Sequence, residues 1–378
     1  MSRIVAVIGT RPEAIKMAPV IHALRATDWA ECLVLLSGQH RALLDQTLEQ
    51  FGIVADHDLN LMEPDQTLGR LTGNAFLRFD AILRELKPDF VLAQGDTTTA
   101  MVAAMSSFYQ RIPFGHVEAG LRTGNRLLPF PEEINRVIAG RVADLHFAPT
   151  QASVDALVSE GVVAKTIHLT GNTVIDNLAR YGAEIALPPM SPGERLILLT
   201  AHRRENFGEP MRAALLAVRD VVEAHSDVRV LYPVHPNPRV EEVAHEVLAG
   251  LDRVSLVAPL GYFEFMGAMK AAHLVVTDSG GVQEEAPFFS KPVLVLRQET
   301  ERPEAVSVGV AELVGLDRDR IRARLDTLLS DPAAYNAMAR DCSPYGDGLA
   351  SQRIVEQLGL YLGHAAKSQT PPFAPPRA

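Results

Sequence analysis

The chain opens Met1-Ser2-Arg3-Ile4-Val5-Ala6-Val7-Ile8-Gly9-Thr10-Arg11-Pro12-Glu13-Ala14-Ile15-Lys16, and this stretch decides the fold. The run Ile4–Ile8 is too apolar to leave one face in water, so it reads as a strand covered on both faces, as in a parallel sheet. Gly9 lets the backbone turn sharply, and Pro12 suits the first positions of a helix. Strand, tight turn and helix in that order begin a βαβ unit. A helix N-terminus flanked by Arg11 and Lys16 suits an anion. The alternative is a plain turn in which Arg11 pairs with Glu13. The glycine spacing is not the Gly-x-Gly-x-x-Gly of dinucleotide sites, which disfavours NAD.

The same alternation continues along the chain. Strands are predicted at Arg3–Ile8, Cys32–Leu36, Phe90–Ala93, Phe114–Val117, Leu145–Ala148 and Thr166–Leu169, with helical periodicity between them. Pro-Pro-Met-Ser-Pro-Gly at 188–193 interrupts the pattern and reads as part of a linker over 183–194. A second series follows at Leu196–Thr200, Val228–Val234, Val254–Leu256, Leu274–Thr277 and Val293–Leu296. The fold class is therefore α/β, with two Rossmann-like domains of parallel strands and a ligand cleft between them. The N-terminal domain is predicted over 1–182 and the C-terminal domain over 195–350. A helix over 351–365 is expected to pack back on the first domain, ahead of a disordered proline-rich tail over 366–378.

Composition narrows the class. The 378 residues exceed one ordinary domain. With 36 basic and 46 acidic residues the net charge is −10, which argues against a broad nucleic-acid-binding face. The two cysteines, Cys32 and Cys342, have no zinc-like spacing and read as free thiols of a reducing compartment. The N-terminal apolar run is too short for a signal peptide, and no segment reaches a membrane-spanning length. A soluble cytoplasmic protein is expected, with no metal and no cofactor.

Charged and polar groups recur just past the strand ends, where open α/β sheets bind ligands. Gln94-Gly95-Asp96-Thr97-Thr98 places Asp96 there, although capping of the next helix also accounts for it. Gly115-His116-Val117-Glu118-Ala119-Gly120 places Glu118 between small residues that leave room for a substrate. Pro129-Phe130-Pro131-Glu132-Glu133 enters a helix, where acidic residues also complement the helix dipole. Asp96, Glu118 and Glu132 can converge as carboxylates tuned for proton transfer. In the second half, His202-Arg203-Arg204-Glu205-Asn206 suits a pyrophosphate. Asp278-Ser279-Gly280-Gly281 lets backbone amides approach a phosphate, and Glu285 can accept from ribose hydroxyls.

Together these blocks closely resemble the non-hydrolysing UDP-N-acetylglucosamine 2-epimerases, from Gly9 to about Gly348. Thr300-Glu301-Arg302-Pro303-Glu304 adds to the match. The resemblance implies the GT-B fold and a UDP-sugar substrate. It implies catalytic roles for Asp96, Glu118, Glu132 and His202. The uracil would be read near Phe265, the ribose held by Glu285, and the diphosphate held by Arg11, Ser279, Gly280 and Gly281. It also implies a homodimer and, in some bacterial members, a second UDP-sugar that activates, for which Gln39, His40, Arg41, Arg203 and His235 are candidates. The segment Thr123-Gly124-Asn125-Arg126-Leu127-Leu128 departs from the family pattern, in which an aspartate near Asn125 and a serine near Leu128 are common. That departure bears on the sugar substituents and leaves the UDP motifs untouched.

Inverting carbon 2 without a nicotinamide implies elimination of UDP to a bound glycal, followed by re-addition for polysaccharide precursor synthesis. Such a route needs a base, an acid on the opposite face, and cations for the leaving diphosphate. The rival readings are a related UDP-diacetamido-sugar epimerase, a GT-B glycosyltransferase, which would need an acceptor, and a non-catalytic UDP-sugar sensor. The sensor would not need three carboxylates.

Overall fold

The structure is a computed structural model that describes residues 1–38, 41–63 and 65–376. It divides into one compact unit of Met1–Asn177 with Tyr345–Pro375 and another centred on Leu178–Pro344.

The first unit carries β1 (Ser2–Ile8), α1 (Arg11–Arg25), β2 (Ala30–Leu36), α2 (Arg41–Gln50), β3 (His57–Asp58), α3 (Leu68–Leu86) and β4 (Phe90–Gln94). It continues with α4 (Thr98–Tyr109), β5 (Phe114–Val117), α5 (Glu132–Val142), β6 (Leu145–Ala148), α6 (Gln151–Ser159), β7 (Ile167–Leu169) and α7 (Thr173–Tyr181). Its seven strands are parallel in the order β3-β2-β1-β4-β5-β6-β7. Ile4–Ile8 is fully buried, as a strand covered on both faces must be. On one face Val5, Val7, Val91, Ala93 and Phe114 pack beneath Phe79 and Leu83 of α3 and Ala100 and Ala103 of α4.

The second unit carries β8 (Arg195–Thr200), α8 (Glu209–Ala224), β9 (Val228–Pro233), α9 (Pro238–Leu248), β10 (Val254–Val257), α10 (Tyr262–Ala271) and β11 (Leu274–Thr277). Then come α11 (Gly280–Glu285), β12 (Val293–Val295), α12 (Pro303–Ser307), β13 (Ala311–Leu313), α13 (Arg318–Ser330) and α14 (Pro332–Met338). The strand order is β10-β9-β8-β11-β12-β13, again parallel. Each unit therefore reverses its winding once, between β1 and β4 or between β8 and β11. That switch point is where a doubly wound sheet opens a crevice. Two such Rossmann-like units make the GT-B plan.

Three features differ from the sequence reading. The edge strands β3 and β13 escape it because two or three residues carry no periodicity. The chain leaves the first unit inside α7, not in the proline-rich stretch, because 183–194 belongs with the second unit. Lys270 Nζ donates to the Gly182 carbonyl at 2.6 Å, and Gly267 lies hard against the Ala186 carbonyl. The tail is also held. After α15 (Ala350–Tyr361), which packs on α1, the Glu356 carboxylate accepts the Gln369 N–H at 3.0 Å and the Thr370 hydroxyl at 2.7 Å. Phe373 is buried, with the Arg353 guanidinium 5.6 Å from its ring. The proline-rich tail forms no regular element, so periodicity gave no sign of these contacts; Arg377 and Ala378 lie outside the described residues. Among the described residues no helix is long and apolar enough to cross a membrane.

The small residues around Glu118 also have another purpose than making room for a substrate. A Cβ on Gly115 would meet Leu92 Cδ2 at 2.7 Å, and Ala119 packs with Ala148 and Leu157. Gly120 has φ +94°, and a Cβ there would lie 2.3 Å from the Ser153 carbonyl oxygen at the start of α6. Gly120→Ala is expected to destabilise the protein by about 1–3 kcal/mol or more, because strain and backbone overlap add. Gly124→Ala, at φ +74° but with nothing within 4 Å, should cost only about 1 kcal/mol. Urea denaturation of the two variants measures the difference.

Candidate active site

In the first unit the loops after β1, β4 and β5 carry the charged groups. Glu118 follows β5 in the left-handed region, φ 61°, an uncommon conformation for a residue with a side chain. Its carboxylate is 8% exposed. It accepts from Lys16 Nζ of α1, from Gln94 Nε2 at the end of β4, and from Asn172 Nδ2 at 3.0 Å. A buried carboxylate requires such partners to stay ionised.

Gly95 N donates to the Val117 carbonyl at 3.0 Å, so the Asp96 loop and Glu118 extend paired strands. The Asp96 carboxylate pairs with Arg136, and Asn135 Nδ2 donates to the Asp96 carbonyl at 2.9 Å. These two contacts bring the first turns of α5, and with them Glu132, to Asp96. Glu132 Oε2 is buried with no hydrogen-bond partner among the described residues. Helix capping, the bland reading of Asp96, falls instead to Thr97, whose Oγ1 accepts the Ala100 N–H at 3.1 Å. Glu133 pairs with the same Arg136 at 3.3 Å and accepts the Thr123 and Gly124 N–H groups at 3.1 and 3.0 Å. Beneath the loop, His116 Nε2 donates to the Gly95 carbonyl at 2.7 Å. Burial pushes that imidazole down to about 3, so it is neutral.

Glu13, in the first turn of α1, is 2% exposed. Its carboxylate accepts the N–H groups of Gly9 and Thr10 at 2.8 and 2.5 Å, and the Thr97 hydroxyl at 2.7 Å. Burial raises this acid to about 7, against the pull of those hydrogen bonds.

In the second unit the organising group is Asp278, fully buried after β11. Its Oδ2 accepts the backbone N–H groups of His202 and Arg203, both at 2.8 Å, and Asn206 Nδ2 at 3.0 Å. One carboxylate thus shapes the whole loop after β8. His202 Nδ1 lies 3.3 Å from Asp278 Oδ1, and its ring stacks on His235 at 5.4 Å between centroids. Burial lowers the His202 pKa although Asp278 opposes it.

Ser279 opens α11, with Gly280 and Gly281 behind it and Glu285 at its end. Gly280 abuts the Arg302 guanidinium, where a Cβ would come within 3.0 Å of Cζ. Arg302 pairs with Glu284 and Glu301, both at 2.9 Å, and Arg297 pairs with Glu301 at 2.7 Å. Burial alone would raise the Glu301 acid, but Arg302 and Arg297 hold it at about 2. Arg203 reaches the same glutamate at 3.4 Å. Phe265 sits in the first turn of α10, past the end of β10.

Every described candidate therefore lies beyond a strand's carboxyl end. In the first unit Lys16 meets Glu118, Asp96 meets Arg136 one turn beyond Glu132, and Arg11 stands at the head of α1. In the second, His202 stacks on His235 beside Arg203, and Ser279 and the two glycines stand at the head of α11, past the adjoining strand β11. Gln39 and His40, and the side chain of Arg41, lie outside the described residues. Sequence reasoning missed Gln94, Asn172 and Arg136, the partners of the carboxylates. Asn172 had a signal, since Gly171-Asn172 also ends a strand. Among the described residues no group of three or more His, Cys, Asp or Glu side chains could hold a metal ion.

Comparison with known proteins gives the family. Residues 22–359 match the family model described as UDP-N-acetylglucosamine 2-epimerase. The chain is 48% identical over 365 residues to UDP-N-acetylglucosamine 2-epimerase of Bacillus subtilis, covering 96% of each chain. It is 46% identical to the Escherichia coli K12 protein of that name, covering 94% of this chain and 98% of that protein. Among solved structures, UDP-GlcNAc 2-epimerase from Neisseria meningitidis bound to UDP-GlcNAc matches with a TM-score of 0.87 and 42% identity, over 94% of this chain and 99% of that one. The S. aureus MnaA–UDP co-structure matches with a TM-score of 0.90 and 41% identity, over 99% and 100%. The chain belongs to the UDP-N-acetylglucosamine 2-epimerase family.

Proposed function

We propose that this protein interconverts UDP-N-acetylglucosamine and UDP-N-acetylmannosamine, as a cytoplasmic homodimeric isomerase supplying precursors of a surface polysaccharide. The observation that carries the reading is a pair of carboxylates in opposite environments. Glu118 is saturated by Lys16, Gln94 and Asn172, whereas Glu132 keeps a buried oxygen with no partner among the described residues. A saturated carboxylate holds a fixed charge and position. One with an open oxygen has a lone pair to offer to a substrate proton.

The reaction balances without an external redox partner. A base takes the proton from carbon 2 while the anomeric carbon–oxygen bond breaks, and UDP leaves with the bonding pair to give a 2-acetamidoglycal. An acid then returns a proton to the opposite face of carbon 2, and UDP adds back at carbon 1. Asp96, Glu118 and Glu132 serve the proton transfers, and the Arg136 pairing holds Asp96 in place. Arg11 and His202 serve the departing diphosphate. Asp278 positions His202 by fixing its backbone. Ser279, Gly280 and Gly281 hold the diphosphate, Glu285 the ribose, and the backbone near Phe265 the uracil. Arg203 and His235 are assigned to a second, activating UDP-sugar.

Two predictions follow this division. Glu118→Gln and Glu132→Gln should lower kcat by roughly 100- to 10,000-fold, the usual reach of general acid–base groups, while UDP still binds. Ser279→Ala and Glu285→Ala should instead weaken UDP by about 1–3 kcal/mol each. Steady-state kinetics with titration calorimetry reads the partition, and the reverse pattern would reverse the assignment. For the mechanism, turnover in deuterated water should place deuterium at carbon 2. An oxygen label in the bridging position should scramble into the non-bridging positions of the adjacent phosphate. Deuterated product with the bridging label unmoved would exclude elimination, provided the bound phosphate rotates before re-addition.

A further inference from the structure

We propose that Glu13 is a positioning residue of this active site: its carboxylate ties the first turn of α1 to the loop after β4, and so fixes Lys16 and its partner Glu118 relative to Asp96. The inference rests on the epimerase reading for its kinetic consequence, but not for its geometry.

The glutamate makes the N3 half of a capping box at the head of α1, accepting the N–H of the N-cap residue Thr10. That half of a capping box needs only the Thr10 N–H and works equally well in water. Glu13 is buried instead and takes a third donor from 84 residues away, the Thr97 hydroxyl. That hydroxyl already accepts the Ala100 N–H that opens α4, so its single proton is committed to Glu13. One carboxylate therefore bridges the N-termini of the helices that follow β1 and β4, the two strands flanking the switch point. The residue before Thr97 is Asp96. The residue one turn beyond Glu13 is Lys16, the ammonium that meets Glu118. The shift of the acid to about 7 shows that its hydrogen bonds do not fully offset burial, a cost that an exposed cap would avoid.

The test uses E13A, E13Q, T97V, T97S and the double variant E13A/T97V. A tie between the two loops predicts that E13A and T97V each lower kcat by roughly 10- to 100-fold, the effect of about an ångström of misplacement. The double variant should lose clearly less than the product of the two single losses, since the Thr97–Glu13 contact is removed only once while each change also removes a helix cap of its own. E13Q can offer its oxygen to Gly9 and Thr10 and its amide to Thr97, and T97S keeps the hydroxyl, so both should restore turnover. Losses that multiply in the double variant, or a T97S as impaired as T97V, would overturn the proposal.

Amide hydrogen exchange supplies the readout that does not depend on substrate. E13A and T97V should each deprotect residues 9–13 and 96–100 together. Loss confined to the mutated loop would overturn the tie even if the protein turned over a different sugar. Joint deprotection without any turnover of UDP-N-acetylglucosamine by the wild type would instead sink the epimerase reading and leave the tie standing. Should E13A fail to fold, the T97V and T97S pair decides both arms.

Discussion

A carboxylate withdrawn from water keeps its charge only where donors or cations meet it, and the strand-end loops of both units are arranged to do so. Asp278 has no exposure and collects two backbone N–H groups and an asparagine amide from the loop after the neighbouring strand. Hydrogen bonds to a charged group contribute about 1.5–3 kcal/mol each, so this set can hold a loop that has little regular structure. In the first unit Glu118 draws donors from α1, the end of β4 and the stretch after β7, and Glu13 draws them from the loops after β1 and β4, although burial still raises it to about 7. The position of His202, Lys16 and Asp96 is thus set by acidic groups that are not all reactive themselves.

This arrangement explains why several charged residues crowd into short loops without mutual repulsion. Glu301 is held between Arg297 and Arg302, and Arg302 also reaches Glu284. Opposite charges alternate through these contacts, which keeps the arginines oriented. Fixed donors need little reorganisation when negative charge develops on a departing group.

Much of this was legible in the sequence. The long parallel strands showed as unbroken apolar runs such as Ile4–Ile8 and Leu196–Thr200, and the charged residues just past them showed where a doubly wound sheet places ligands. Edge strands such as His57–Asp58 were not legible, because two residues carry no period. Nor were the partners of the carboxylates. Gln94 ends a strand and Arg136 lies within a helix, and nothing local in their spacing says that they turn toward Glu118 and Asp96. Contacts that close over tens of residues, such as Thr97 with Glu13 or Asn172 with Glu118, are set by strand order. The tail misled for a related reason. Its order comes from Glu356 and Arg353 on a helix, and not from any pattern of its own.

The close approach at Gly120 has a consequence for how this chain can vary. The atom that a side chain at 120 would strike is a backbone oxygen of residue 153, not part of the serine side chain. Shrinking or reshaping the residue at 153 cannot move that oxygen, so no second-site change at the contact partner can compensate. Position 153 is constrained by its own burial and by the Thr150 hydroxyl 3.1 Å from its side chain, and not by the residue at 120. The two should therefore show no correlated substitution across relatives, although they are among the closest neighbours in the fold. A contact map inferred from covariation would leave this one blank.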